Sequence, residues 1–172
     1  TLAAQKSGMS EEVFRNYDEK PTNSLLYSLS MGTYAIGDNG TAYMNLPINH
    51  KVFLAQFDVI KSISHQGGCV IVGRCADYAL QDYPHLVNVF IHADMKKRIQ
   101  RIMKRHDLSS KEAENLIIKT DKRRANYYNF YTNRKWGSVD TYHLAIDSSA
   151  LGIDHTAQII ADFAGIKEPD EK

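Results

Sequence analysis

Apolar residues fall at three- and four-residue steps in some stretches of this chain and in short unbroken runs in others, and the two patterns predict different elements. Thr1 to Ser7 reads as the tail of a helix stopped by Gly8, where a left-handed residue is needed. Met9 to Asn16 predicts a second short helix, ended at Glu19-Lys20-Pro21 because a residue before proline avoids the helical region. Asn49 is the expected cap of a helix reaching about Ser64, with Phe53, Phe57, Ile60 and Ile63 as its apolar stripe and Gly67-Gly68 as its stop. That stripe is expected to lie on a sheet. Ser24 to Met31 fits strand or helix equally, and Gly37-Asp38-Asn39-Gly40 predicts a hairpin turn or a loop.

Cys69 to Val72 is a short continuous apolar run, Val87 to Ile91 and Tyr142 to Ile146 are similar, and all three read as strands covered on both faces, which is the mark of a parallel sheet. Between them, Asp94 caps a helix whose buried side is expected to hold Met95, Ile99, Ile102 and Met103. Ser109-Ser110-Lys111-Glu112 is a capping box that starts another helix, reaching roughly Tyr128. Asp154 to Phe163 closes the chain as a helix ended by Gly165. Strands alternating with helices predict one α/β domain over residues 1–166, followed by a loose tail at 167–172.

The 172 residues, 43% hydrophobic and 24% charged, suit one folded core and argue against disorder or a coiled coil. No apolar run is long enough for a membrane span and no leader pattern opens the chain, so a cytoplasmic protein is expected. Two cysteines, Cys69 and Cys75, are too few for a disulfide framework, and the seven histidines show no metal spacing, so no metal site is expected. The net charge of +1 hides an asymmetry. Residues 96–124 carry eleven Lys or Arg against four Asp or Glu, an excess of seven, so the rest of the chain is net negative by six. Such a segment either forms solvated helix faces or meets something anionic.

In an open parallel sheet the ligand lies beyond the carboxyl ends of the strands, so the residues after each strand carry the most weight. After the first comes Gly73-Arg74-Cys75-Ala76-Asp77. There the arginine suits a phosphate and the carboxylate a hydroxyl or amine, unless the two serve each other or a helix end. After the second come Arg98, Arg101 and Arg105 on one helix, and then Lys119 to Arg124. Of the consecutive Arg123 and Arg124, one must turn inward, since neighbours on a helix point about 100° apart. Arginines around a shared cleft answer the charge that spreads over a phosphoryl group in transfer, each worth on the order of 2 to 4 kcal/mol. After the third, Asp147-Ser148-Ser149 is read as a turn cap in preference to a site floor. Tyr127, Tyr128, Phe130, Tyr131 and Trp136 either fill a core or stack on bases, the core being preferred.

Val70-Ile71-Val72-Gly73-Arg74-Cys75-Ala76-Asp77, the arginine-rich helix, Asp121-Lys122-Arg123-Arg124-Ala125-Asn126-Tyr127-Tyr128 and Ile146-Asp147-Ser148-Ser149, in that order, resemble the cytidylate kinase-like family of nucleoside monophosphate kinases. The resemblance implies a P-loop α/β fold, a three-layer sandwich around a parallel sheet. It implies transfer of the ATP γ-phosphoryl to CMP, dCMP or a similar acceptor, with Mg²⁺ carried by ATP. By that likeness Arg74 and Asp77 bind the acceptor. Arg101, Arg105, Arg123 and Arg124 act catalytically in or beside a lid over about residues 96–135. The partners implied are ATP and a nucleoside monophosphate; a membrane and nucleic acid are not, and a homodimer is allowed. A nucleotide-binding regulatory module without turnover and an RNA-binding domain are the alternatives.

The family's opening strand and glycine-rich phosphate loop have no counterpart here, and none of the ten glycines is followed by lysine. The central strand of the expected sheet is therefore missing, and a natural protein longer by roughly thirty residues, the size of a βαβ unit, is expected. Val72 stands where many nucleotide kinases carry an aspartate on the magnesium side.

Overall fold

A computed structural model describes residues 2–17, 19 and 46–166. The stretches around Ser24 to Met31 and Gly37 to Gly40, and the tail from Lys167, lie outside them. The chain divides into two units, Thr1–Leu80 with Phe130–Thr132 and Gln81–Asn129 with Asn133–Lys172.

In the first unit, α1 (Leu2–Ser7) ends as expected, with Gly8 at φ +69°. The Ser7 hydroxyl secures the turn by donating to the Ala4 carbonyl and accepting from Met9 N, both at 3.3 Å. α2 spans Glu11–Tyr17 and α3 spans Ile48–Ser64. The cap of α3 is Pro47, not Asn49, which lies inside the helix. Proline presets the entry angle, and its carbonyl takes His50 N at 2.9 Å and Lys51 N at 3.2 Å, so no side-chain acceptor is needed.

The inner stripe of α3 is Val52, Ala55 and Val59, buried with Ala3 and Ala4 of α1 and Phe14 of α2, with Met9, Val13 and Ile63 at the margin. The expected sheet partner is therefore replaced by two short helices, α1 offering small alanines that let the backbones approach and α2 the Phe14 ring. Phe53 and Ile60 of the expected stripe are buried on a neighbouring face. There the Phe53 ring stacks on Tyr131, centroids 4.0 Å apart and 7° from parallel. Buried His50 packs its ring against both.

Cys69 to Val72 is not a strand. Among the described residues no backbone pairs with it, and Val70 and Val72 are 95% and 87% exposed. An apolar run becomes a strand only where another chain segment takes its N–H and C=O groups. The run leads into Gly73, Arg74 and Cys75, all left-handed at φ 72°, 56° and 53°, and then α4 (Ala76–Ala79). The turn is closed by Ala76 N donating to the Gly73 carbonyl at 3.1 Å.

The second unit carries β1 (Val89–His92) and β2 (Leu144–Asp147), parallel as expected, with Val89 opposite Leu144 and His92 opposite Asp147. Asn88 sets that register. Its carbonyl accepts from His143 N at 2.9 Å and Leu144 N at 3.3 Å, its amide N donates to His143 Nδ1 at 3.0 Å, and its side-chain Nδ2 donates to the Thr141 carbonyl at 2.8 Å. Ile146 is buried, yet Ile91 is 54% exposed, so this pair of strands is not covered on both faces. Two strands of four residues have too little surface to hold a helix layer on each side.

α5 (Met95–His106) and α6 (Ser110–Thr132) start at the expected caps, and α6 runs one turn past Tyr128 to a left-handed Asn133. No residue of α5 is fully buried; Ile99, Ile102 and Met103 are half-buried and Met95 is exposed. A 3₁₀ turn (Val139–Thr141) precedes β2, and α7 (Ser148–Leu151) and α8 (Ile153–Ile166) follow it, Gly165 lying within α8 instead of ending it. Phe90 is the hub of the sheet's aromatic side, with Trp136 edge-on at 5.5 Å and Tyr142 at 5.0 Å.

Two outcomes are expected. Burial lowers the pKa of His50 from its ordinary 6.5, so the unfolded chain takes up a proton there that the folded chain refuses, and stability falls as pH drops below that value. Thermal melts from pH 7.5 to 5 will show this fall, and His50→Phe will flatten it by up to about 1.4 kcal/mol per pH unit. At Gly137, with φ +77°, a Cβ would sit 3.0 Å from the Phe90 ring, so Gly137→Ala will cost roughly 1–3 kcal/mol in urea unfolding.

Candidate functional site

The carboxyl ends of β1 and β2 are stitched together by short polar side chains. Asp147 Oδ1 accepts from Ser149 N at 2.8 Å and from the Ser149 hydroxyl at 2.5 Å, and these two bonds, the hydroxyl's first, hold its carboxyl below the usual range. The Ser149 hydroxyl also accepts from Asp94 N at 3.0 Å, while the Ser148 hydroxyl donates to the His92 carbonyl at 3.0 Å. This trio is the turn cap the sequence implied. Asp94 Oδ1 in turn accepts from Lys96 N at 2.8 Å and Lys97 N at 3.3 Å, so the amino end of α5 is closed by its own carboxylate.

Arg98 leaves this edge and meets Asp121 of α6 with two contacts, Nη2 to Oδ1 at 2.8 Å and to Oδ2 at 2.7 Å. That pair is 31% and 26% exposed, which places its worth near 1 kcal/mol; its effect is to choose which faces of the two helices meet. At 100° per residue, Arg105 stands about 20° and Arg101 about 60° around α5 from Arg98, on the same flank. Arg124 stands about 60° around α6 from Asp121, and Arg123 about 160° away. Arg101 and Arg105 thus share the Arg98 flank of α5, and on α6 Arg124 stands nearer than Arg123 to Asp121.

Arg124 has a further peculiarity. Ala113, Ile117 and Tyr128 are buried and lie on one stripe of α6; Arg124 falls within that stripe, about 20° from Ala113, yet it is exposed. Both consecutive arginines are exposed, so neither turns inward as expected; Arg124 is the one whose position falls on the buried stripe. Among the described residues no ion pair or hydrogen bond occupies Arg101 or Arg105, both exposed.

Arg74 and Asp77 belong to the first unit. Arg74 Nη1 is paired with Glu19 Oε1 at 2.6 Å. Burial first, and then the charge of Asp77, push the Cys75 thiol up to about 12, with Arg74 opposing and Glu19 adding. Such a thiol is not a nucleophile at neutral pH. Three charges thus gather about an inert sulfur, and an anion reaching Arg74 competes with Glu19. That competitor was not legible in the sequence, because nothing local links residues 19 and 74.

The aromatic group serves packing: Tyr127 and Tyr128 are buried, Tyr131 lies on Phe53, and Trp136 lies on Phe90. Among the described residues no three His, Cys, Asp or Glu stand together in a way that would hold a metal ion. No helix there is long and apolar enough to cross a membrane.

Asp121→Ala is expected to cost no more than about 1 kcal/mol in global unfolding. It will raise amide exchange in the last two turns of α5 well above that of β1, because the only ion pair the structure records between α5 and α6 is lost.

Residues 1–150 match the cytidylate kinase-like family. Among solved structures, a similar chain is an uncharacterized protein from Eubacterium ventriosum ATCC 27560, 32% identical, with a TM-score of 0.66 over 69% of this chain and 75% of that one. Comparison with curated proteins gives no match. The resemblance carried by Gly73-Arg74-Cys75-Ala76-Asp77 and Arg123-Arg124-Ala125-Asn126-Tyr127-Tyr128 thus extends over most of the sequence, and the chain belongs to the cytidylate kinase-like family.

Proposed function

We propose that this protein is a nucleoside monophosphate kinase-like phosphotransferase, moving the γ-phosphoryl of ATP to CMP, dCMP or a similar acceptor. The observation that carries the reading, beside family membership, is Arg124: a guanidinium on the inward stripe of α6 that is nonetheless open to solvent. An arginine there keeps a fixed charge beside the buried stripe, and its planar fork of donors suits a nucleotide phosphate. The fold that goes with this reading is a P-loop α/β sandwich, one domain over residues 1–166, with a lid over about 96–135.

Arg101, Arg105, Arg123 and Arg124 then neutralise charge on the transferring group, and Arg74 and Asp77 hold the acceptor. Catalysis of this kind is positioning and electrostatics, since the protein forms no covalent bond to the phosphoryl group. Mg²⁺ enters as part of the MgATP substrate; Val72 offers it no oxygen. That residue also favours a second reading, a nucleotide-binding module without turnover.

Coupled ADP detection with MgATP and CMP separates the two. The kinase reading expects turnover that Arg124→Gln lowers by about 10² to 10³, with Arg123→Gln and Arg105→Gln costing less. ATP binding with no ADP formed from any nucleoside monophosphate would leave the module. Glu19→Gln is expected to lower the KM for the acceptor several-fold, because Arg74 loses its carboxylate competitor.

A further inference from the structure

At the amino ends of β1 and β2, opposite the edge that holds Asp94 and Asp147, the second unit has an open depression of about 460 Å³ lined by Arg134, Lys135, Ser138, Asp140 and Thr141. Strands of four residues put roughly 10 Å between the two edges. The loop that builds the depression is held from several directions. Asn133 caps α6 in a left-handed conformation. Asn129 Oδ1 accepts from Trp136 N at 2.7 Å, and the Lys135 carbonyl accepts from Ser138 N at 3.2 Å. Asn88 reaches the Thr141 carbonyl at 2.8 Å, and Gly137 lies flat against the Phe90 ring. The Arg134 guanidinium is steered by the Gln81 Oε1 acceptor at 2.8 Å.

On this fixed backbone four polar side chains are left unspent. Ser138 stands at the cap of the 3₁₀ turn without capping it, and among the described residues Lys135, Asp140 and Thr141 enter no side-chain hydrogen bond or ion pair. Ser, Asp and Thr in a tight turn ordinarily bond back to it, so their pointing into a shared concavity is informative.

We propose that this depression binds a sugar phosphate. Arg134, Lys135 and the Ser138 and Thr141 hydroxyls supply donors from two sides, the set that suits a phosphomonoester dianion. Asp140 would repel a bare phosphate, and its presence is accounted for when the ligand carries a hydroxyl beside the phosphate for the carboxylate to accept from. Because it lies at the opposite sheet edge from Asp94 and Asp147, the site is additional to the phosphotransfer reading and does not rest on it.

The test is calorimetric titration of the full chain with ribose 5-phosphate, inorganic phosphate and ribose. Ribose 5-phosphate is expected to bind saturably, phosphate more weakly and ribose not at all. Lys135→Met and Ser138→Ala, neither of which breaks a recorded side-chain bond, are each expected to weaken the sugar phosphate by about tenfold. Asp140→Asn is expected to weaken ribose 5-phosphate and to leave or improve inorganic phosphate. Absence of saturable binding would overturn the proposal, as would binding lost in Arg123→Gln or Arg124→Gln but kept in Lys135→Met, which would place the phosphate elsewhere. Equal affinity for phosphate and ribose 5-phosphate would remove the role given to Asp140.

Discussion

Eleven cations on two successive helices repel one another, and the second unit rests on how that repulsion is contained. Three of the four acids in the segment hold structural posts: Asp107 closes α5 in a left-handed conformation, Glu112 closes the capping box, and Asp121 takes Arg98. Glu112 accepts from the Ser109 hydroxyl and backbone N, bonds that pull its carboxyl below the usual range. The cations Lys104 and Arg105 sit in the last turn of α5, where the helix dipole favours positive charge. The acids thus define helix ends and one helix pairing, and among the described residues none of them is paired with Arg101 or Arg105. Positive potential is therefore a consequence of how the hairpin is built.

The same bookkeeping limits how phosphate can be held at the carboxyl edge of the sheet. Helix amino ends commonly bind phosphate through free N–H groups. Here α5 is closed by Asp94, and α7 begins at Asp147, whose oxygen already takes Ser149 N. Two carboxylates occupy the positions an anion would take. On the proposed reading, phosphate at this edge would have to be held by side chains, and guanidinium groups carry the fixed charge for that.

Caps were the most legible feature of the sequence, because each is local chemistry: Gly8, Asp94, and Ser109 with Glu112 all act within four residues of where they stand. The exceptions are Asn49, displaced by Pro47 two residues earlier, and Gly165, which lies within α8. The apolar runs are less legible. Val87 to Ile91 and Tyr142 to Ile146 yield β1 and β2, whereas Cys69 to Val72, equally apolar, finds no ladder partner among the described residues. A run of valines states a preference for the extended backbone; a strand also needs a neighbour, which no single segment encodes. Likewise the stripe of α3 announced that it would be covered, but not that Ala3, Ala4 and Phe14 would cover it. Of the site, the arginines were legible as residue types. What was hidden is the long-range pairing, Arg98 with Asp121 and Arg74 with Glu19, which decides the direction each flank faces.

The turn at Gly73 to Cys75 shows such pairing at work against the backbone. Glycine takes a left-handed conformation freely, but Arg74 and Cys75 each oppose it by about 1–2 kcal/mol. The surroundings must over-determine the geometry for it to persist. Burial of the Cys75 side chain and the Arg74 ion pair with Glu19 act on the two strained residues in turn, and the Gly73 and Cys75 carbonyls are both taken by amides of α4. Glycine at all three positions would remove the steric opposition, and with it the thiol that fills the interior and the guanidinium that meets Glu19. Strain retained where a permissive residue was available marks the two side chains as the reason for the turn.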